Sequence, residues 1–350
     1  MTLELKKDSH LTGINKILSL SYDDLPFHLK SCLMYFGMYP EDYIVKSKRL
    51  IRQWIAEGFV KEESGNTLEE VAEGYLTELI HRSLVQVSSV RIDGKTKNES
   101  QFLSEDFMWR IFTEYRRLKV LEFEVSEVKL LNTNILHENL GSLIHLKYLS
   151  FVNSFGETQF ELPKSIAMLQ NLETLVLRHK AYYQIPKVVS KLRKLQHLMG
   201  FRMSLFQLKG GIGGMESLQT LSSVQIDDYD DGLELIKELG KLRQLRKLSL
   251  FHVMEDHIST LSSSLNEMQH LENLSIHCRH FTDLHLNPPP SMLRSLKLRG
   301  MLEKFPEWIL QLQNLVKLKL ELSNLEDDPI KLLENMQNLL SLQIDFKAYK

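Results

Sequence analysis

The sequence predicts an α/β chain: a curved parallel sheet wound as a solenoid over residues 118–350, preceded by a small, mostly helical domain. Two observations predict it. An apolar six-residue pattern recurs along the last two thirds of the chain at nearly constant spacing, and the first ninety residues have a different, helical texture.

The pattern is L-x-x-L-x-L, and it occurs ten times with substitutions. Its first three copies are Leu118/Leu121/Phe123, Leu146/Leu149/Phe151 and Leu172/Leu175/Leu177. The next four are Leu195/Leu198/Gly200, Leu218/Leu221/Ser223, Leu245/Leu248/Leu250 and Leu271/Leu274/Ile276. The last three are Leu293/Leu296/Leu298, Leu315/Leu318/Leu320 and Leu339/Leu342/Ile344. Successive starts lie 28, 26, 23, 23, 27, 26, 22, 22 and 24 residues apart, the spacing of leucine-rich repeats. The second and third apolar residues are two apart, so on a strand both point into the core while the residue between them points out. One such unit cannot bury its apolar side alone; stacking supplies the core. Return segments begin Leu162-Pro163, Ile185-Pro186 and Phe305-Pro306, where proline suits the start of a short helical turn.

Repeats four and five carry Gly200 and Ser223 at the third apolar site, and Gly210-Gly211-Ile212-Gly213-Gly214 lies between them. A weak or kinked joint is expected there, where the backbone is unusually free. The repeat pattern places Asn or Cys after two further residues beyond the third apolar position; no copy has either there, and Ser126, Ser154 and Ser323 are the nearest substitutes. The chain stops at Lys350 without a polar capping segment, which suggests a cut end.

The period-2 rule gives the outward strand positions. They are Val120, Glu122 and Glu124 in the first repeat and Tyr148, Arg178, His197, Met199, Phe201 and Phe251 in the middle. Ser295, Lys297, Arg299, Lys317, Lys319 and Glu321 follow in repeats eight and nine. The inner face therefore runs from acidic, through aromatic, to basic. Tyr148, Arg178, His197, Phe201, Phe251, Lys297, Arg299, Lys317 and Lys319 are the candidate partner-binding residues. Two alternatives stay open: a one-residue slip would turn Phe201 and Phe251 into core residues, and the lysine run is equally readable as a solvated face.

Ahead of the repeats, Asn15–Ser21, Leu25–Phe36, Lys46–Glu57 and Thr67–His81 show apolar residues at helical steps. Gly58 stands at a helix end, and Thr67 with Glu70 has capping-box spacing. Leu84-Val85-Gln86-Val87 alternates as a strand. Short helices followed by a strand pair fit a winged helix over residues 14–90, with an N-terminal tail at 1–13 and a linker and repeat entry at 91–117.

The run Leu18-Ser-Leu-Ser-Tyr-Asp-Asp-Leu-Pro-Phe-His-Leu-Lys-Ser-Cys32 resembles the winged-helix subdomain of plant intracellular NLR immune receptors, the coiled-coil, nucleotide-binding, leucine-rich-repeat class. So do Tyr35-Phe36-Gly-Met-Tyr-Pro-Glu-Asp-Tyr-Ile44, Leu50-Ile-Arg-Gln-Trp-Ile-Ala-Glu-Gly-Phe59 and Glu73-Gly-Tyr-Leu-Thr-Glu-Leu-Ile-His-Arg-Ser-Leu-Val85. The resemblance implies a disease-resistance protein in which ADP or ATP controls a switch and the repeats restrain it. The implied protein partners are a switch domain in cis or in trans and a pathogen effector or guarded host protein. The nucleotide-binding machinery of that class is missing from this sequence. No G-x-x-x-x-G-K-[ST] occurs to cradle phosphates, and no Met-His-Asp-like motif follows the winged helix. No cofactor is therefore expected, and the chain reads as a truncated, alternatively spliced or partial product. A rival reading is an F-box substrate adaptor of a ubiquitin ligase, on the strength of Leu25-Pro26 before a helix. Against it, the winged-helix resemblance continues through Arg52–Phe59, where an F-box would give way to repeats.

The remaining properties narrow the class. A formal net charge of −2 argues against a general nucleic-acid binder, and Lys46, Lys48, Arg49 and Arg52 are offset by Glu41, Asp42 and Glu57. No catalytic set of Ser/His/Asp or Cys/His stands out, so no enzyme is expected. His277-Cys278-Arg279-His280 is the tightest His/Cys group, short of the four ligands of a structural zinc site, so no metal is expected. The cysteines, Cys32 and Cys278, are too distant in sequence for a disulfide framework. The N-terminus lacks the apolar stretch of a signal peptide, and no run is apolar enough to span a membrane. A cytoplasmic location is expected, with nuclear or membrane-peripheral placement open.

Overall fold

A computed structural model describes residues 22–39, 45–82, 84–85, 112–113, 115–125, 139–153, 162–178, 183–226, 229–281, 284–302, 304–323, 325 and 328–345. The chain divides into two compact units, Met1–Lys97 and Asn98–Lys350.

In the first unit, α1 (Phe27–Met34) runs into a 3₁₀ turn at Tyr35–Met38, followed by α2 (Ser47–Glu57) and α3 (Leu68–His81). The expected helix at Asn15–Ser21 and the end of the expected strand, Gln86–Val87, lie outside the described residues. Leu50, Ile51 and Trp54 fall on one face of α2 and join Leu29, Cys32, Val71, Ala72 and Leu79 in a single core. Gly58 ends α2 with φ 81°, and its N–H reaches the Ile55 carbonyl while Phe59 N–H reaches that of Trp54. Only a residue without Cβ takes that left-handed turn freely. At α3 the capping box forms as expected: Glu70 N–H donates to Thr67 Oγ1 at 3.3 Å, and Thr67 N–H donates to Glu70 Oε2 at 2.7 Å.

The second unit is one parallel sheet. Its strands are β1 (Val120–Val125), β2 (Tyr148–Asn153), β3 (Thr174–Arg178), β4 (Tyr183–Gln184), β5 (His197–Ser204) and β6 (Thr220–Gln225). They continue as β7 (Lys247–Val253), β8 (Asn273–His280), β9 (Ser295–Met301), β10 (Lys317–Glu321) and β11 (Ser341–Ile344). The order is β1-β2-β3-β5-β6-β7-β8-β9-β10-β11, with β4 paired to β5 alone. Each of the ten motif copies supplies one strand of that path. The second motif leucines stand in register from Leu121 through Leu149, Leu175, Leu198, Leu221, Leu248, Leu274, Leu296 and Leu318 to Leu342. Phe112, six residues before the expected start of the repeats, already belongs to their core.

The return segments differ from repeat to repeat. Pro163, Pro186 and Pro306 each cap a 3₁₀ turn, at Lys164–Met168, Lys187–Lys191 and Glu307–Gln311, with φ near −65° to −70°. The repeats that start at Leu218 and Leu245 carry full helices, α4 (Tyr229–Gly240) and α5 (Ile258–Glu267). A shorter helix, α6 (Pro329–Leu332), precedes β11.

At repeats four and five, where a weak or kinked joint is expected, the strands carry bulges, a local kink. Pairing shifts register between Met199 and Met203, with Arg202 at φ 48°, and again beside Ser223 at φ 63°. The bulge hands the vacant core places to Met203 and Val224, both fully buried. A Cβ on Gly200 would collide with Met203 Sδ, so the glycine is there to admit that methionine. Leu208, just before the glycine run, and Ile212, within it, are also fully buried, so the core is continuous. The asparagines of the stack sit elsewhere than expected. Asn171, Asn314 and Asn338, each just before a first motif leucine, donate through Nδ2 to the carbonyls of Ile144, Ser291 and Gln313 at 2.9, 2.9 and 2.7 Å.

Candidate protein-interaction face

Outward side chains of neighbouring strands form rows, since strands about 4.8 Å apart bring equivalent residues together. One row runs Val120, Tyr148, Thr174, His197, Thr220, Lys247, Asn273, Ser295, Lys317 and Ser341. Two of the proposed contacts in it are corrected. Tyr148 is only 2% exposed and His197 only 5%. His197 Nδ1 lies 3.1 Å from Thr220 Oγ1, within the row. Packing between adjacent strands covers both side chains, although the strand period points them outward. Arg178 and Lys317 are exposed. Phe201 sits on the bulge, 43% exposed, with the Arg202 guanidinium 5.4 Å from its ring centre. Phe251 is half-buried and meets His277 edge-on at 5.8 Å. Neither phenylalanine is in the core.

The lysine run is a structured cluster. Glu321, largely buried, accepts from Lys319 at 2.7 Å and Lys297 at 3.1 Å, with Arg299 at 3.7 Å. Burial by itself would push the Glu321 carboxyl up. The hydrogen bonds from Lys319 and Lys297 and their charges outweigh it and hold the carboxyl below its ordinary value. Burial, Arg299, His252 and Lys297 together depress His277, against the opposing pull of Glu321.

Beside this cluster, an open groove of about 1060 Å³ follows the C-terminal ends of β7 to β10. His252, Gly300 and Leu322 line it, each two residues past the third motif position and each at positive φ (57°, 141° and 57°). Met254 and Met301 add exposed apolar surface. The sequence reading missed this groove, because its lining comes from residues beyond the six-residue pattern. The signal available was the repeated offset: Arg202, His252, Gly300 and Leu322 share it, and one of the four is glycine. Within the groove Cys278 Sγ donates to the His280 carbonyl at 2.9 Å, and burial pushes its thiol up to about 11, so it stays protonated. Among the described residues no group of three or more His, Cys, Asp or Glu is placed to hold a metal. Nor is any described helix long and apolar enough to cross a membrane.

A stack of parallel strands joined by short return segments, with a patterned outer row of cations and aromatics, defines a leucine-rich-repeat protein whose fold suits protein interaction. The leucine-rich repeat region family matches residues 100–350, and the disease resistance protein winged helix domain matches residues 38–109. The chain belongs to the leucine-rich repeat region family, and its winged helix joined to repeats is the arrangement of plant NLR disease-resistance proteins. It is 25% identical to disease resistance protein PIK6-NP of Oryza sativa, over 96% of this chain and 42% of that protein. With disease resistance protein RPM1 of Arabidopsis thaliana it shares 28% identity, over 99% of this chain and 44% of that one. A putative late blight resistance protein homolog of Solanum demissum, R1B-16, is 31% identical over 65% of this chain and 23% of its own length. The chain thus spans less than half the length of the curated relatives it matches. Among solved structures, a leucine-rich-repeat protein of Leptospira interrogans shares the fold, with TM-score 0.50, 21% identity, and 79% and 68% of the two chains covered.

Proposed function

We propose that this chain is the winged-helix and repeat portion of a plant disease-resistance receptor, and that its outward strand rows hold other proteins. The observation behind this reading is a disease-resistance winged-helix match over residues 38–109 that runs directly into a repeat match over 100–350. The F-box adaptor reading loses its footing on the same residues, which it needed for an early start of repeats. The partners are a nucleotide-dependent switch domain and a pathogen effector or modified host protein. The mechanism is differential contact: the repeats favour one state of the switch, and a ligand that prefers the other shifts the balance. The chain itself is non-catalytic and works in the cytoplasm. It holds no ADP or ATP, because its sequence offers no phosphate-cradling loop.

Proximity labelling in leaf cells tests this reading. The wild-type chain, an outward-face variant (Arg178→Glu with Phe201→Ala) and a return-segment variant (Lys191→Glu) are compared. A set of labelled proteins shared by the wild type and Lys191→Glu, and lost in the face variant, supports it. Identical labelling by all three overturns it.

A further inference from the structure

We infer that the outward positions of β9 and β10 dock an extended segment of a partner protein that carries two carboxylates two residues apart. This rests on the interaction-face reading above and names the partner chemistry.

The charge on the sheet is uneven. The first two outward rows, where they cross β8 to β11, hold eight positions. Three are Lys297, Lys317 and Lys319, the other five are serine, asparagine or glutamine, and none is a carboxylate. Lys317 is exposed, and no carboxylate pairs with it among the described residues. Acid enters only in the third row, where Arg299 is opposite Glu321 and Asp345 follows β11. The first two rows are therefore the part of the face that attracts an anion.

The second row supplies the independent observation. The register sets Lys297 directly opposite Lys319, and like charges in that relation are destabilising. Two strands earlier the same row does without them, with Ser249 opposite Ser275. Stability of the sheet does not ask for the lysine pair. Glu321 contains the repulsion: it is largely buried, accepts from both lysines and fixes their ammonium groups. One carboxylate does not neutralise Lys297, Lys319 and Arg299 together. Fixed, incompletely neutralised cations cost an incoming carboxylate little reorganisation.

Spacing and neighbours define the occupant. Lys317 and Lys319 lie two residues apart on β10, about 6.6 Å along the strand, and Lys297 stands about 4.8 Å to the side. An extended chain has the same rise, so carboxylates at i and i+2 reach both rows while residue i+1 points away. Ser275, Ser295 and Ser341 flank the lysines with short hydroxyl side chains that can donate and accept. An extended segment has free backbone groups for them, whereas a helix has used its own. None of the eight positions is aromatic, so bases find no stacking platform. Three lysines also fall short of the phosphate contacts that hold a nucleic acid.

The test uses the full chain and a displayed library of random decapeptides. Selected peptides are expected to share Asp or Glu at two positions two residues apart. A labelled peptide from that set should bind less tightly as salt rises. Lys317→Gln changes an exposed side chain outside the Glu321 cluster and should weaken binding about threefold with Tm unchanged. Lys297→Glu with Lys317→Glu should weaken it by about tenfold or more, and Lys191→Glu on a return segment should leave it unchanged. The inference is overturned if nothing is enriched, if the enriched peptides are basic or lack the acidic pair, or if both lysine variants bind as well as wild type. It is also overturned if an oligonucleotide, an anionic vesicle or inorganic phosphate displaces the peptide with the same dependence on these lysines. Labelling in leaf cells that still depends on Arg178 and Phe201 after such a result leaves the interaction-face reading standing; loss of both removes it as well.

Discussion

Glu321 concentrates the logic of the face in one side chain. It was legible as an outward residue from the strand period, but its role depends on Lys297, which lies on the neighbouring strand. The same limit explains Tyr148 and His197. Alternation along a strand fixes direction, whereas exposure depends on side chains one repeat away, and no local pattern carries that. A pH dependence follows from Glu321. Its carboxyl titrates lower in the folded than in the unfolded chain. The stability it contributes is therefore complete above the unfolded value, near 4.5, and is lost as pH falls through the folded value. Thermal unfolding measured from pH 7 down to pH 3 should show a smaller acid loss in Glu321→Gln than in the wild type. Parallel curves would remove the carboxylate from this role.

Among elements, those with strong local chemistry were the ones readable in advance. Thr67 and Glu70 marked the start of α3, Gly58 marked the end of α2, and three prolines marked 3₁₀ turns. α1 begins at Phe27, two residues beyond the expected Leu25, because Pro26 stands at its N-cap. Repeats four and five show a different limit. Gly200 and Ser223 look like gaps in an apolar pattern, and a bulge that promotes Met203 and Val224 is visible only once strands pair. The α3 cap gives the test at this scale. Thr67→Ala removes the acceptor for the Glu70 N–H and should cost about 1 kcal/mol. Chemical denaturation followed by Trp54 fluorescence, in a variant where Trp308 and the remaining tryptophan are phenylalanine, would read it; no change would mean the box is incidental.

Across the whole molecule, the repeat unit stacks strand on strand, and each repeat contacts its neighbours. Stability should therefore be graded along the array. The strands from β5 to β9 pack fully buried leucines on both sides, whereas on β11 Leu342 is 41% exposed. Amide hydrogen exchange should be slowest in β6 to β8 and fastest in β11. Uniform protection across the ten strands of the main path would contradict a graded stack.

The leucine ladder from Leu121 to Leu342 has a consequence for how such a face changes. Volume is set by inward residues, and the proposed contacts fall on exposed ones between them such as Arg178 and Lys317, so the two demands fall on different codons. Substitutions can rewrite the outer rows, one repeat at a time, while the scaffold beneath keeps its shape. A host facing adversaries that alter their own surfaces would gain from such a separation of framework and reader.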